Sequence, residues 1–427
     1  MLIKIFLILL EIGFGVNYNI IGTISISELA LIVTAFGYIK KDLFLKYPIL
    51  KTITWLYIGL LLSQILSEIA IGNSLSNSLK GYSVTIVSYL HFVFLFRYFI
   101  KDRKLILYAI LGMIIKSLIF GYQHEVDISE VIEGEGAAYL KFYLAPLIIN
   151  MVLIIAIFVK KRYVSLLCIG VGLSFVVLGA RSSGVSILLT GFLAYFIVFF
   201  KRKIDQKMLL MITLFVGLVG YGLYVVYVNE VLSGKITAGN SLQLKETKNP
   251  YNPVNLLVMG RTEAFVGWVA FMDKPWVGHG AWAIDKTGKY HSLMLIFRNS
   301  NLRVDEGVGL IPSHSVLICS GTQNGILAFV LMGTILILFI KNGIKSINKN
   351  DPYLIIIISF TISIIWTGLF SPTSHFRLTL PLFFAFIVAS NIVNGRRIKF
   401  EKKQLLIKNR KKNNKSRYIG TNSNLRQ

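Results

Sequence analysis

Charge is scarce in this chain: only 15% of its 427 residues are Asp, Glu, Lys or Arg, whereas 55% are hydrophobic. A soluble protein of this length cannot hide that much apolar surface. Acidic residues are scarcer still, 20 against 45 Lys and Arg. There are two cysteines, Cys168 and Cys319, both inside apolar blocks. With none in the long polar loop, a disulfide framework and a thiolate metal cluster are excluded. Several motifs are missing as well. There is no Gly-x-x-x-x-Gly-Lys-Ser/Thr loop for ATP, no His-Glu-x-x-His and no Gly-x-Ser-x-Gly turn. No Asp-x-Asp pair offers a seat for a divalent cation and a nucleotide sugar. Glu263, Asp273, Asp285, Asp305 and Glu306 show no spacing that marks a glycosidase pair. What remains is metal-free chemistry using arginine and histidine.

The apolar residues fall in blocks of roughly 17–25, the length a helix needs to cross a bilayer core. They predict twelve spans: Ile3–Ile21, Ile26–Ile39, Thr52–Ile71, Tyr82–Ile100, Leu105–Phe120, Leu140–Val159, Val164–Leu178, Val185–Phe200, Met208–Val228, Ser315–Ile340, Leu354–Phe370 and Leu378–Val393. Met1 to Leu10 has the charged start and apolar core of a signal peptide, but no small-residue cleavage site clearly follows, so it counts as part of the first span. The expectation is an all-α polytopic membrane protein of about twelve transmembrane helices with one large extracytoplasmic loop, 229–313. Its regions are N-terminal helices over 1–163, a core over 164–335 that contains the loop, the last two helices over 336–394, and a basic tail over 395–427.

The net charge of +25 would point to nucleic acid in a soluble protein. Here the cations flank spans and set orientation instead, so no nucleic-acid partner is expected. Basic clusters recur at Lys40–Lys51, Arg97–Lys104, Lys160–Arg162, Lys201–Lys207 and Lys341–Lys349, and again in the tail from Arg396. All fall on one side if twelve helices are counted, while the connection from Gly121 to Ala138 is acidic. Positive residues stay cytoplasmic. The expected setting is the inner (plasma) membrane, with both termini cytoplasmic, the long loop outside and the tail held near anionic lipid.

Cations on the outer face then need reasons. Arg181 lies among small residues in Gly179-Ala180-Arg181-Ser182-Ser183-Gly184. It either snorkels to the interface or faces a polar cavity that a ligand enters. Gly260-Arg261 precedes a helix in which Phe265, Trp268, Val269 and Met272 recur at helical spacing, closed by Pro275 and Gly278-His279-Gly280. That helix either is an amphipathic lid or sets Arg261 at the membrane surface. His314 stands in Pro312-Ser313-His314-Ser315 before the tenth span, either as an interfacial side chain or as a group that takes a proton from a hydroxyl. His375 and Arg377 add candidates in the last outer turn.

This order of features resembles the O-antigen ligase and O-antigen polymerase superfamily, closely over roughly Val164 to Met332. The resemblance rests on an arginine in a small outer turn, Gly260-Arg261 with its tryptophan-containing helix, Gly278-x-Gly280, and His314 opening a helix that carries Gly321 and Gly325. It implies a GT-C-like, metal-independent, inverting membrane glycosyltransferase without a cofactor. The donor would be a polyprenyl-pyrophosphate-linked oligosaccharide, the acceptor a glycan or glycolipid, with membrane lipid and a chain-length regulator protein as further candidate partners. Arg181 and Arg261 would hold the donor pyrophosphate, because the guanidinium fork matches phosphate oxygens and stays charged. Arg377, Gly278 and Gly280 would line the substrate site, and His314 would be the general base on the acceptor hydroxyl or would orient it. A Ser follows His314 where an Asn is commoner in the family. A polymerase of surface polysaccharide is the favoured reading and a ligase to lipid A core the alternative. A third is a lipid-linked saccharide flippase or transporter with Glu11, Glu28, Glu68 and Lys116 along a polar path. Against that, the sequence shows no broken-helix pair.

Overall fold

The computed structural model describes residues 1–19, 22–121, 139–199, 206–235, 249–297, 309–397, 400 and 404. They are almost entirely helical, with one two-stranded ribbon. Five helices among them are long and apolar enough to cross a bilayer, or six if one bent pair counts as a single span. That is fewer than the twelve expected from block length. The five are α5 (Pro48–Ile71), α6 (Leu75–Phe99), α8 (Leu140–Phe158), α10 (Arg181–Phe199) and α15 (Val316–Ser346). Between and beside them run α7 (Ile106–Phe120), α9 (Lys161–Val177), α11 (Gln206–Leu232), α16 (Leu354–Phe370) and a last helix, α18, over 380–397.

The N-terminus departs most from the expected pattern. Instead of two spans, α1 (Leu2–Gly13) is followed by an antiparallel ribbon that pairs Asn17 with Ser25 and Asn19 with Thr23. The next helix breaks into α2 (Ile26–Val33), α3 (Ala35–Tyr38) and α4 (Lys41–Lys46). A capping box explains the interruption: Ser25 Oγ accepts from the Glu28 amide, and the Glu28 carboxylate accepts from the Ser25 amide at 2.7 Å. A Ser-x-x-Glu start overrides the continuous apolar run.

The region expected as an outer loop is largely folded. It holds α12 (Pro253–Gly260) and α13 (Thr262–Asp273), bent by 76° at Arg261, and α14 (Lys289–Phe297). On α13 the expected apolar face is not the one that packs against the bundle. Trp268 and Met272 are exposed, while Ala264, Val266, Gly267, Ala270 and Phe271 are buried. The small residues let α13 approach α15 closely, so that Thr322 Oγ1 donates to the Gly267 carbonyl at 2.8 Å. Helices in an apolar solvent gain from such close packing rather than from hiding bulky groups. Asp305 and Glu306, the acidic connection 122–138 and the tail beyond 404 lie outside the described residues.

Contacts tie most of the basic segments together at one end of the bundle, the cluster over 201–205 lying outside the described residues. Arg103 pairs with buried Asp351 at 2.6 Å and lies 4.9 Å from the Tyr353 ring centre. Lys161 donates to the Lys349 carbonyl, Arg97 to the Gly37 carbonyl, and Arg396 stands over the Tyr47 ring. Segments far apart in sequence and all rich in Lys and Arg thus meet on one side.

Candidate functional site

The other end is organised around a break in α15. Gly325 has φ 75° and ψ −171°, a non-helical residue inside an otherwise continuous helix. The turn 275–280 fills the gap. The amides of His279 and Gly280 donate to the carbonyls of Thr322 and Gln323 at 2.8 and 2.9 Å, and the Ile326 amide donates to the Pro275 carbonyl at 2.7 Å. A Cβ at Gly325 would sit 2.1 Å from the Trp276 carbonyl, so only glycine admits this docking. Ser67 on α5 donates to the Val277 carbonyl, and Glu68 accepts from the Ala281 amide at 2.6 Å. Irregular backbone at this depth is tolerated where protein satisfies it or where it borders a polar cavity.

A cavity of about 590 Å³, walled by apolar side chains with polar and charged ones among them, lies beside the break. Its wall takes Phe14, Asn17 and Thr23 from the N-terminal ribbon region, Gln64 and Thr85 from α5 and α6, and Glu263 from α13. The turn before α14 adds His279, Gly280 and Trp282. His291, Ser313, His314, Gln323, Asn324 and Arg377 complete its polar part. Three of the six histidines therefore share one chamber. Trp282 has φ 57°, rare for a bulky residue, and strain of this kind collects at functional sites.

The chamber brings His314, Gly280 and Arg377 together and leaves Arg181, Arg261 and Gly278 off its wall. His314 is half-buried at the mouth of α15, and its Nδ1 is buried with no hydrogen-bond partner. Ser315 is the helix N-cap: its Oγ accepts from the Ile318 amide at 3.1 Å and donates to the Gly368 carbonyl at 3.0 Å. Arg377, on α17 (Ser374–Leu378), forms a bidentate pair with Glu28 and donates to the Thr23 carbonyl at 2.7 Å. Arg261 sits just behind the wall, donating to the Phe370 carbonyl at 3.3 Å with its guanidinium 5.4 Å from the Trp366 ring centre. Two residues on, Glu263 does line the chamber. Arg181 opens α10 and is held by Tyr227 of α11 through a 2.7 Å hydrogen bond and a ring contact. Gly278 serves the packing, since a Cβ there would meet the Gln323 carbonyl at 2.4 Å.

Two arrangements have no local sequence signal. Asp285 and His291 form a 3.0 Å pair at the start of α14. His279 Nε2 donates to the Ala270 carbonyl at 2.8 Å and lies 3.4 Å from the Tyr290 hydroxyl, which itself donates to Asp273 at 2.8 Å. Hydrogen bonds from Lys289 and Tyr290 hold the Asp273 carboxyl below its usual range, and burial pushes His279 down against the pull of the Ala270 carbonyl. Burial, reinforced by the charges of His314 and Lys116, lowers His375 to about 4. Of the carboxylates proposed for a transport path, Glu28 is committed to Arg377, and Glu68 to Ala281, Asn73 and Ser78. Glu11 faces His91 at 3.9 Å. Among the described residues no three His, Cys, Asp or Glu side chains converge as a metal ligand set. No family model matches the chain, and neither does any curated protein.

Proposed function

We propose that this protein is a polytopic inner-membrane glycosyltransferase that polymerises surface polysaccharide, moving a polyprenyl-pyrophosphate-linked glycan onto a lipid-linked repeat unit. One observation carries the reading: a chamber whose largely apolar wall is studded with polar and charged side chains opens at a broken membrane-type helix, at the end of the bundle away from the basic segments. In this reading the twelve-pass topology holds with short or broken elements at the N-terminus, both ends are cytoplasmic and the chamber faces outward. Arg261, behind the wall, and Arg181, at the start of α10, supply fixed positive charge for the departing pyrophosphate, which lowers the barrier where charge builds. Arg377 shapes the acceptor side while pinned by Glu28. His314 orients the attacking hydroxyl or accepts its proton.

Transfer by purified protein in lipid vesicles is the test. Arg181→Ala and Arg261→Ala each lower turnover by about 100-fold or more, as expected for removal of a transition-state donor. Near-normal turnover in both overturns the site assignment. Glycan analysis of a deletion strain separates the acceptors: single-unit chains mark a lost polymerase, and long unattached lipid-linked chains mark a lost ligase. The break at Gly325 favours a second reading, a transporter of lipid-linked saccharides, because discontinuous helices build such sites. Repeat units trapped on the cytoplasmic side of the deletion strain would favour it.

A further inference from the structure

The cavity contains a better-formed proton acceptor than His314. Asp285 is buried, and its Oδ2 accepts the amides of Tyr290 and His291, both at 2.9 Å, at the N-terminal end of α14. The same oxygen lies 3.0 Å from His291 Nδ1. Two backbone N–H groups already point at it, so it acts as an acceptor and the ring nitrogen facing it is the one that carries the proton. Nε2 is then the basic nitrogen. It makes no hydrogen bond among the described residues, and His291 is one of the residues lining the chamber. Gly309, at φ 88°, packs beside the ring, where a Cβ would stand 3.2 Å from Nε2.

The pair is also held rigidly. Ile284 and Leu310 form a β-bridge, the Asp285 amide donates to the Gly309 carbonyl at 3.1 Å, and the Ile311 amide donates to the Ala283 carbonyl at 2.9 Å. The segment that carries His314 is therefore stitched to the segment that carries Asp285. By contrast, among the described residues His314 Nδ1 has no hydrogen-bond partner and no carboxylate pairs with the ring. A carboxylate behind one imidazole nitrogen fixes the tautomer and raises the basicity of the other, which suits a general base beside a cavity. Other charged or titratable residues lining the same chamber are His314, His279, Glu263, Cys319 and Arg377.

We propose that His291, positioned by Asp285, is the catalytic residue that takes the proton from the acceptor hydroxyl, an inference that rests on the transferase reading above. As the hydroxyl oxygen bonds to the anomeric carbon, its proton passes to Nε2. The bond from that carbon to the pyrophosphate oxygen breaks, and its electron pair leaves with polyprenyl pyrophosphate. The imidazolium then returns its proton to water. His314 orients the hydroxyl, and Asp285 acts only through His291.

The test uses the full chain in lipid vesicles with a polyprenyl-pyrophosphate-linked glycan, and measures turnover from pH 5 to 9 together with donor binding. His291→Gln lowers turnover by about 100-fold, within the usual range for a general base, while donor binding is unchanged. His291→Ala regains part of its turnover when imidazole is added. Asp285→Asn lowers turnover by about 10-fold and moves the acid limb of the pH profile, which a packing role would not do, and Asp285→Glu restores part of it. If the wild type transfers glycan and His291→Gln stays within about two-fold of it, the dyad assignment is overturned and the transferase reading stands. A variant that loses donor binding along with turnover assigns the pair a structural role and overturns the proposal. A wild type that transfers no glycan removes the transferase reading itself, and the base with it.

Discussion

At the basic end of the bundle, the buried Asp351 carboxylate accepts from Arg103 and caps the Tyr353 amide at 2.9 Å, and Asn394 donates to the Ser346 carbonyl at 2.9 Å. At the cavity end, His314 Nδ1 and Asn324 Oδ1 are buried without partners among the described residues, and His291 lines the chamber. Buried polar groups are nearly always satisfied, and leaving one unsatisfied costs about 1–3 kcal/mol. The two ends therefore serve different purposes. One uses charge to lock helix ends together, and the other leaves polar atoms open at a stability cost that a ligand could recover.

That contrast can be broken most severely at the hinge of the open end. Gly325→Val drives a side chain into the Trp276 carbonyl, where even a Cβ would lie 2.1 Å away. Glycan transfer should fall to background, and limited proteolysis should show the turn 275–280 released. An unchanged digestion pattern would mean that the turn does not dock as described. At the closed end, Asp351→Ala leaves Arg103 without its anion. Breaking a buried pair costs about 3–5 kcal/mol, visible as a lower unfolding midpoint in detergent, while turnover per folded molecule is unchanged. A loss of turnover without a loss of stability would place function at the wrong end.

A milder change sharpens the comparison. Ser67→Ala removes the hydroxyl that binds the Val277 carbonyl and approaches Gln323 at 3.4 Å. The expected loss is about 1 kcal/mol, read by thermal unfolding, with faster proteolysis confined to the turn. The smallest effect is one of pH. His375 protonates near 6.5 when unfolded but only near 4 in the fold. Between those values the unfolded chain binds the extra proton, so stability is full above about pH 6.5 and declines as pH falls toward 4. His375→Asn should flatten that slope in thermal unfolding; an unchanged slope assigns it to another group.

Much of the bundle is legible in the sequence, because apolar block length and flanking cations respond to local solvation. The helices at Pro48–Ile71, Leu75–Phe99 and Val316–Ser346 appear where the blocks stand, each extended by one to two turns. Legibility fails where a short-range signal competes, as the Ser25–Glu28 capping box does, and where packing inverts an expected face, as on α13. His314 and Arg377 can be picked out as polar exceptions on an apolar chain. Asp285 and His291 cannot, since two residues six apart acquire meaning only when α14 turns one against the other.

The order of residues alone determined that this chain is helical, apolar and basic along one set of connections, because each of those properties is counted within a single block. Only the tertiary structure decided that Gly325 breaks a helix, that a turn from 275 to 280 fills the break, and that side chains from Phe14 to Leu378 wall one chamber. Those outcomes depend on contacts between segments hundreds of residues apart, and no local periodicity records which distant carbonyl an amide will meet.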